Sequence, residues 1–474
     1  MGKRHGRRRQ EQFWVATDTL PRPASHPFYE RLNQLLERCK FDRFVETTCQ
    51  PFYAKSMGRP SLPPGTYFRL LMIGFFEGID SERGIAWRAA DSLGLRAFLG
   101  IALDEAAPDQ TTISRTRRLL DLETHQAVFT WVLTLLGEHG LLRGTTIGID
   151  ATTLEANAAM RSIVRRDNGE GYEDFLHKLA QESGIPTPTR EDLARLDRKR
   201  PKKGSNEEWV NPHDPDARIM KMKDGSTHLS HKAEHAVDME TGAVVAVTVQ
   251  PADAGDTKTV HETLSQAAEQ IELVAQAVNQ ATGAEMVEPA GPVEVVTDKG
   301  YHSRGAVLEI QKSGVRTYVA EPKRPRQRWE GQQEEQQAVY ANRRRIQGER
   351  GKRLQRKRGE KLERVNAHLY ETGRMRRVHL RGHNNILKRL LIHTCALNLG
   401  LLMRTMCGIG TPRSLQGRSA AASRIAQVLL RALFEVLVIR VSGIIEEERR
   451  AVTSSPRETP IYHLSVCLFT AAAF

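Results

Sequence analysis

The chain has 474 residues, a formal net charge of +13 and 39% hydrophobic residues, so it is long enough for two or three domains. The hydrophobic content is low for a membrane protein, and no run of 18 uncharged apolar residues predicts a transmembrane helix. Five cysteines without a C-x-x-C pair argue against a disulfide scaffold and a cysteine-rich zinc site, and they fit a reducing cytoplasm.

The positive charge is concentrated in two segments. Residues 321 to 381 contain 19 Lys and Arg against 8 Asp and Glu, a net charge of +11. The first nine residues carry +5, so the rest of the chain sums to −3. This distribution indicates a localised binding surface for a polyanion. A solvated charged helix or a flexible tail would give the same numbers of charged residues.

The N-terminal quarter of the chain has the patterns of helices. We predict a basic flexible leader over residues 1–19 and a helical domain over residues 20–125, which begins with apolar residues at helical spacing (Phe28, Leu32, Leu35 and Leu36). Asp109 and Thr111 are capping candidates ahead of an Arg-rich helix. The pattern fits a DNA-binding unit of two helices joined by a turn. The turn lies at Gly94, and the second helix displays Arg115, Arg117 and Arg118. A helical bundle with a charged face is the alternative.

From residue 144 the pattern changes to strands. Thr145 to Ala156 is β-branched, and Thr227 to Met239 alternates and runs through an ETG turn into the apolar AVVAVTVQ, which is a hairpin signal. A helix with an apolar stripe from Val260 to Val278 follows. A short strand then ends at Asp298, and a helix and the strand VRTYVAEP come after it. This order predicts an α/β core over residues 140–404.

Three further segments complete the predicted organisation. Residues 160–226 form an insertion, predicted to be a loop-rich appendage or a small subdomain because of its Pro, Gly and charge content. The basic segment 322–358 is predicted to be mostly loop, with helices from about Leu354 to Glu371 and from Asn384 to Arg404. Residues 405–474 form a tail to which no role is assigned.

Two aspartates stand out in the predicted strands. Asp150 lies inside the apolar run GIDAT, where a carboxylate is costly unless it is paired or binds a cation, and Asp298 ends the apolar strand VVTD. Carboxylates at neighbouring strand ends can converge, and converging carboxylates suit Mg²⁺ or Mn²⁺. Two such ions about 4 Å apart support phosphodiester chemistry. A third carboxylate from the basic helix would place phosphate-binding Arg and Lys beside the metals.

Three glutamates of the basic helix are candidates for that third position: Glu360, Glu363 and Glu371. Leu362, Val365 and Leu369 form the core-facing stripe, and Glu363 lies at its edge. Glu363 is therefore the candidate that best reaches a site on the sheet, while Glu360 and Glu371 could be solvated surface charges.

The segment HKAEH (His231 to His235) matches an inverted zinc-protease motif. That chemistry requires both histidines on one helical face, four residues apart. On the predicted strand they share a face but lie about 13 Å apart. We therefore reject a zinc peptidase.

Several separate motifs in this order resemble bacterial insertion-sequence transposases of the Asp-Asp-Glu class. The core motifs are GIDATTLEAN, HKAEHAVDMETGAVVAV, VVTDKGYHS and LERVNAHL followed by MRRVHLRGHNNILKRLLIHTCALNLGLLM. The N-terminal GRPSLPPGTYFRLLMIGFFEGIDSERGIAWRAADSLGLRAFLG and PDQTTISRTR resemble that family's helical domain, so the likeness covers roughly residues 55 to 405.

The resemblance implies an RNase H-like mixed-sheet core with Asp150, Asp298 and Glu363 as catalytic carboxylates and metal ligands. Two departures concern the Glu: Tyr370 stands where the family often has Lys, and Gly359 where it often has Arg. We expect two Mg²⁺ or Mn²⁺ ions, nicking of element ends and transfer of the 3′-hydroxyl strand into target DNA. The residues expected to contact DNA are Lys299, Arg364, Arg374, Arg376 and Arg377 near the site, and Arg115, Arg117 and Arg118 in the helical domain.

The expected partner is double-stranded DNA, both the terminal repeats and the target, bound by a homodimer in a synaptic complex. We expect a cytoplasmic, nucleoid-associated protein without a membrane partner. Two other functions fit the same residues. One is a DNA-binding repressor with an inactive core, and the other is an RNase H-like nuclease that cuts without joining.

Overall fold

A computed structural model describes residues 26–54, 61–200, 204–222, 225–323 and 328–415. The predicted leader over residues 1–19 and most of the predicted tail, from residue 416 on, lie outside these ranges. The described residues up to Pro412 belong to one compact unit, and those from Arg413 on belong to a second. The helices and the sheet presented below are all part of the first unit.

The N-terminal part is helical, as predicted. Its helices are α1 Pro27–Arg38, α2 Phe41–Cys49, α3 Pro64–Glu77, α4 Glu82–Asp91, α5 Leu93–Leu99, α6 Gln110–Leu119 and α7 Leu122–Glu138. The predicted apolar stripe of α1 is buried, and Asp109 caps α6 by accepting a hydrogen bond from the Thr112 N–H at 2.7 Å. Helix α7 extends this helical part well beyond the predicted boundary at residue 125.

The rest of the unit is built on a six-stranded mixed sheet. Its strands are β1 Thr146–Glu155, β4 Arg218–Lys221, β5 Thr227–Asp238, β6 Val244–Pro251, β7 Glu294–Thr297 and β8 Arg316–Val319, and a separate two-stranded sheet pairs β2 Val164–Arg165 with β3 Trp209–Val210. The strand order is β4-β5-β1-β7-β8, with β6 also paired to β5. Strands β1, β5 and β6 run antiparallel, and β1, β7 and β8 run parallel.

Helices cover both faces of the sheet. They are α8 Tyr172–Glu182, α9 Arg190–Lys199, α10 Asp256–Thr282, α11 Arg304–Lys312, α12 Gln333–Gln347, α13 Glu349–Asn366 and α14 His383–Cys407. Helix α10 packs on β5 and β6, and α13 crosses β1, β7 and β8 on the other face. Helix α14 packs against β6, α3 and α7, so it joins the sheet to the N-terminal helices.

The predicted insertion over residues 160–226 contains α8, α9 and the two-stranded sheet, and Trp209 and Leu229 share one of its hydrophobic clusters. It is therefore a small packed subdomain and not only a loop.

One prediction of secondary structure is wrong. The basic segment 322–358, predicted to be mostly loop, is occupied for most of its length by α12 and the first half of α13. Its Gln, Glu, Lys and Arg residues are good helix formers, and its only prolines lie before residue 326. The helix expected from about Leu354 begins at Glu349, and its last residues, Ala367–Thr372, form a π-helical turn.

In the described part of the chain, His383–Leu415 is long and apolar enough to cross a membrane by length and composition alone. However, 78% of its most apolar window is buried inside the protein, as expected for a core helix. Buried helices of globular domains can be as long and as apolar as this one, so its length and composition are weak support for a membrane span.

Candidate active site

The two predicted aspartates lie next to each other at one edge of the parallel strands. Gly148 of β1 pairs with Val296 of β7; Asp150 lies two residues after Gly148, and Asp298 lies two residues after Val296, just past the end of β7. The two carboxylates are close enough for Asp298 to raise the pKa of Asp150. Adjacent strands are separated by about 4.8 Å. Asp298 directly follows β7 and accepts a hydrogen bond from the Gly300 N–H at 2.8 Å, which fixes the carboxylate at the turn. The structure thus brings these two predicted residues together.

The surroundings of Asp150 disfavour its negative charge. Burial raises the pKa of Asp150 to about 6; the guanidinium of Arg358 opposes this rise, and the carboxylates of Asp298 and Asp256 add to it. A carboxylate whose neighbours are also acidic gains from a cation placed between them. The pair therefore has the electrostatics of a cation site.

Helix α13 covers the face on which the pair lies. A Cβ at Gly148 would lie 2.6 Å from Met239 Sδ and 3.2 Å from Leu362 Cδ1 of α13, so close packing by both side chains accounts for a glycine in the middle of β1. One turn further along α13, Asn366 Nδ2 donates a hydrogen bond to Asp150 Oδ2 at 3.3 Å. Helix α13 therefore contacts Asp150 directly.

The three candidate glutamates have different surroundings. Glu360 pairs with Arg364 at 3.2 Å, and Glu371 forms an ion pair with Arg376. Glu363 is exposed, and its carboxylate makes no hydrogen bond or ion pair with another residue in the described ranges. Of the three, Glu363 is therefore the carboxylate that is not already paired.

The three predicted metal ligands are not clustered closely enough to coordinate one ion together. Among the described residues, no group of three or more His, Cys, Asp and Glu side chains is placed to hold a metal ion. Asp150 and Asp298 fit such an ion as oxygen donors in a site with excess negative charge. The structure does not place Glu363 with them as a third ligand.

The basic residues predicted to lie near the site are at the surface. Lys299 is exposed in the turn directly after Asp298, and Arg364 is exposed on the outer side of α13. The exposed arginines that follow the π-helical turn are Arg374, Arg376 and Arg377. This segment runs beside the end of β1, where the Glu155 N–H donates to the Arg376 carbonyl at 2.9 Å. The charges thus flank the strand that carries Asp150.

The arginines of α6 are divided between the surface and the interior. Arg115 and Arg118 are exposed. Arg117 is buried; its Nε donates to Glu82 Oε1 at 2.7 Å and its Nη1 to Asn385 Oδ1 at 2.6 Å, which links α6 to α4 and α14. The prediction that Arg117 contacts DNA does not fit this position, because the side chain holds helices together.

The HKAEH segment lies on a strand, as expected. Both histidines are fully buried: His231 contacts Asp214 at 3.1 Å, and His235 contacts the Tyr370 hydroxyl at 2.9 Å. Burial lowers the pKa of His235 to about 3. These contacts are those of packed core histidines, which agrees with the rejection of a zinc peptidase.

Four residues near the aspartate pair were not found from the sequence: Lys232, Asp256, Arg358 and Asn366. Asn366 and Arg358 could have been found, because they lie on the same side of a helix as the stripe that contains Leu362. Asp256 opens α10, and Lys232 lies on β5. No short-range pattern connects these two to Asp150.

Comparison with known families decides the identity. The family model described as Transposase domain (DUF772) matches residues 17–119, and the model described as Transposase DDE domain matches residues 197–399. The chain belongs to the insertion-sequence transposases of the Asp-Asp-Glu class. No solved structure matches the chain.

The fold agrees with this family. A mixed sheet whose antiparallel strands β1, β5 and β6 precede the parallel strands β7 and β8 is the RNase H-like core expected for a transposase. Membership of this family, whose members generally use divalent metal ions, supports a metal-dependent transposase that binds DNA. The N-terminal match, over residues 17–119, ends with helix α6, so the chain carries a helical transposase domain as well as the DDE domain.

Proposed function

We propose that this transposase nicks the ends of its insertion element and transfers the freed 3′-hydroxyl strands into target DNA, with Asp150, Asp298 and Glu363 as the catalytic carboxylates. The observation that carries this proposal is the proximity of Asp150, inside strand β1, to Asp298, directly after the parallel neighbouring strand β7, on the side of the sheet covered by the basic helix α13. A paired, partly buried set of carboxylates next to a phosphate-binding surface is suited to metal-dependent phosphodiester chemistry.

Glu363 is the third member because of its place on α13. It precedes Asn366 by three residues, and residues at this spacing have Cβ atoms about 5–6 Å apart. Since Asn366 already contacts Asp150, a rotamer change at Glu363 would bring its carboxylate toward the pair. Two Mg²⁺ or Mn²⁺ ions bound there would activate the attacking oxygen and stabilise the leaving oxygen.

We propose that DNA is bound by two parts of the chain. Lys299, Arg364, Arg374, Arg376 and Arg377 would hold phosphates beside the site without reading sequence. The helical domain over residues 20–125 would recognise the terminal repeats through exposed Arg115 and Arg118. Two element ends are joined in one event, so we expect a homodimer that holds both ends in a synaptic complex. We expect this complex to act on DNA in the cytoplasm.

A strand-transfer assay on the element's own end sequences with Mg²⁺ or Mn²⁺ tests the proposal. Asp150→Asn and Asp298→Asn are expected to abolish cleavage and joining while retaining DNA binding. Full activity of either variant would rule out the catalytic assignment. Among Glu360→Gln, Glu363→Gln and Glu371→Gln, only the Glu363 variant is expected to be inactive.

The same assay separates the two other functions. Cleavage without joined product would indicate a nuclease, and DNA binding without cleavage by the unaltered protein would indicate a repressor. Activity that persists in EDTA would exclude the metal-dependent reaction.

A further inference from the structure

A second layer of charged side chains lies behind the aspartate pair, on the face of the sheet that contacts α10. Its centre is Glu234 of β5, which is fully buried and lies opposite Ala151, the residue after Asp150. Its carboxylate accepts hydrogen bonds from the hydroxyls of Thr259 at 3.0 Å, Thr263 at 2.5 Å and Tyr301 at 2.8 Å. We refer to Lys232, Glu234, Asp256, Thr259, Thr263 and Tyr301 as the Lys232 network.

Lys232 connects the carboxylates of this network. It is 5% exposed, and its Nζ donates to Asp256 Oδ1 at 2.6 Å and to Thr259 Oγ1 at 2.8 Å, and lies 3.6 Å from Glu234 Oε1. One ammonium thus faces two carboxylates, so the network has a formal charge of −1. That charge is poorly screened, because only Asp256 is substantially exposed to water.

The network reaches the turn that carries Asp298 at two points. Tyr301, three residues after Asp298, is anchored to Glu234. At Gly300, a Cβ would lie 2.7 Å from Asp256 Oδ2 and 3.1 Å from Asp298 Oδ1, so only glycine leaves room for the two carboxylates at this turn. Asp256 therefore uses one oxygen for Lys232 and directs the other toward the turn of Asp298.

We propose that Asp256 is a positioning residue of the catalytic site: held by Lys232, it fixes the turn of Asp298 and adds negative charge that increases the site's affinity for divalent cations. This inference rests on the proposed role of Asp150 and Asp298. A buried ion pair is weak support for stability alone, since apolar replacements are often neutral or stabilising. Outer-layer partners of metal ligands, in contrast, typically change metal affinity about 10–100-fold when they are altered.

Binding of Mn²⁺ alone to the full-length protein, measured by isothermal titration calorimetry, tests the inference without depending on activity. Asp256→Asn, which keeps the shape and removes the charge, is expected to weaken Mn²⁺ binding about 10-fold. Tyr301→Phe, which releases the turn from Glu234, is expected to weaken it in the same direction. Glu269→Gln is the matched control, because this exposed glutamate lies on α10 about 20 Å from Asp256 and should leave the affinity unchanged.

The outcomes distinguish the two proposals. If the Asp150→Asn variant binds Mn²⁺ as tightly as the unaltered protein, the proposed metal site itself is wrong. If Asp150→Asn loses Mn²⁺ while Asp256→Asn keeps it, the site stands and the role of Asp256 is overturned. A lower melting temperature for Asp256→Asn with unchanged Mn²⁺ affinity would likewise overturn it, because the network would then act only in stability.

Discussion

At the scale of single residues, Arg374 has an unusual backbone. Its φ is 58°, in the left-handed region that an L-residue with a side chain adopts at a cost of about 1 kcal/mol. The residue is exposed at the start of the segment that runs beside β1, so its side chain is available to DNA. A strained backbone position that nevertheless carries a large charged side chain indicates a functional role for the guanidinium, here contact with DNA.

Two substitutions at this position separate strain from charge. Arg374→Gly removes both, and Arg374→Ala removes the charge but keeps the left-handed backbone. We expect Arg374→Gly to unfold at a higher urea concentration than Arg374→Ala, by about 1 kcal/mol in the free energy of unfolding. Both should bind DNA more weakly to the same extent. If Arg374→Gly binds DNA as the unaltered protein does, Arg374 is not part of the interface.

At the scale of elements, both edges of the sheet are closed by a buried asparagine. Asn398 of α14 accepts from the Val244 N–H at 3.0 Å and donates to the Val244 carbonyl at 2.9 Å. Asn342 of α12 makes the same pair of bonds with Val319, at 2.9 and 2.8 Å. Each side-chain amide thus replaces a neighbouring strand, so that β6 and β8 present no open pairing groups at these points.

Removing either amide leaves a backbone N–H and a carbonyl buried without partners. We expect Asn342→Ala and Asn398→Ala each to lower the free energy of unfolding by about 2–3 kcal/mol. Denaturant unfolding measures this effect. Asn384→Ala, at an exposed position of α14, is the control and should change stability by less than about 0.5 kcal/mol. Equal losses in all three variants would contradict the edge-closing role.

At the scale of the whole molecule, a buried histidine links stability to pH. His125 of α7 is fully buried between the Tyr67 hydroxyl at 3.1 Å and the Asp121 carbonyl at 2.7 Å, and nearby Lys388 and Arg117 are cationic. Burial lowers the pKa of His125 from 6.5 to about 4. The unfolded chain therefore takes up a proton between pH 6.5 and 4 that the folded protein does not, and stability falls as the pH decreases through this window.

The expected loss at His125 is about 2 kcal/mol between pH 7.5 and 4.5. Urea unfolding of the unaltered protein and of His125→Gln at both pH values measures it. The glutamine variant is less stable at pH 7.5, and the difference should shrink by about 2 kcal/mol at pH 4.5, because Gln does not titrate. A difference that is constant with pH would show that His125 contributes nothing to the acid sensitivity.

Across the whole molecule, the sequence predicts those parts of the fold and the site that depend on local patterns. Alternation and β-branching predicted β1, β5 and β7 well enough to place Asp150 inside one strand and Asp298 at the end of another, because both signals are local. The position of Arg117 could not be predicted, since its partner Asn385 lies 268 residues away. The hydrogen bond from Lys232 to Asp256 could not be predicted either, because strand β6 separates the two residues in the chain and no local sequence pattern connects them. The helices in segment 322–358 follow from the helix propensity of its Gln, Glu, Lys and Arg residues, whereas its high charge alone is equally typical of a loop.

The concentration of positive charge around α13 leads to a prediction about salt. If the exposed Arg353 and Arg356 each neutralise one DNA phosphate, each contributes about 0.9 to the slope of log affinity against log salt concentration, through release of counterions. The double variant Arg353→Ala/Arg356→Ala is therefore expected to lower that slope by about 2 and to weaken binding of unrelated sequences equally.

The control removes the same charge elsewhere. Arg198 and Lys199 are exposed at the end of α9 in the insertion, and replacing both by Ala keeps the total charge of the two variants identical. Fluorescence anisotropy with a labelled duplex at several salt concentrations measures both slopes. If both variants lower the slope equally, net charge accounts for DNA binding. A slope that falls only for the α13 variant would locate phosphate contacts on the helix that covers Asp150.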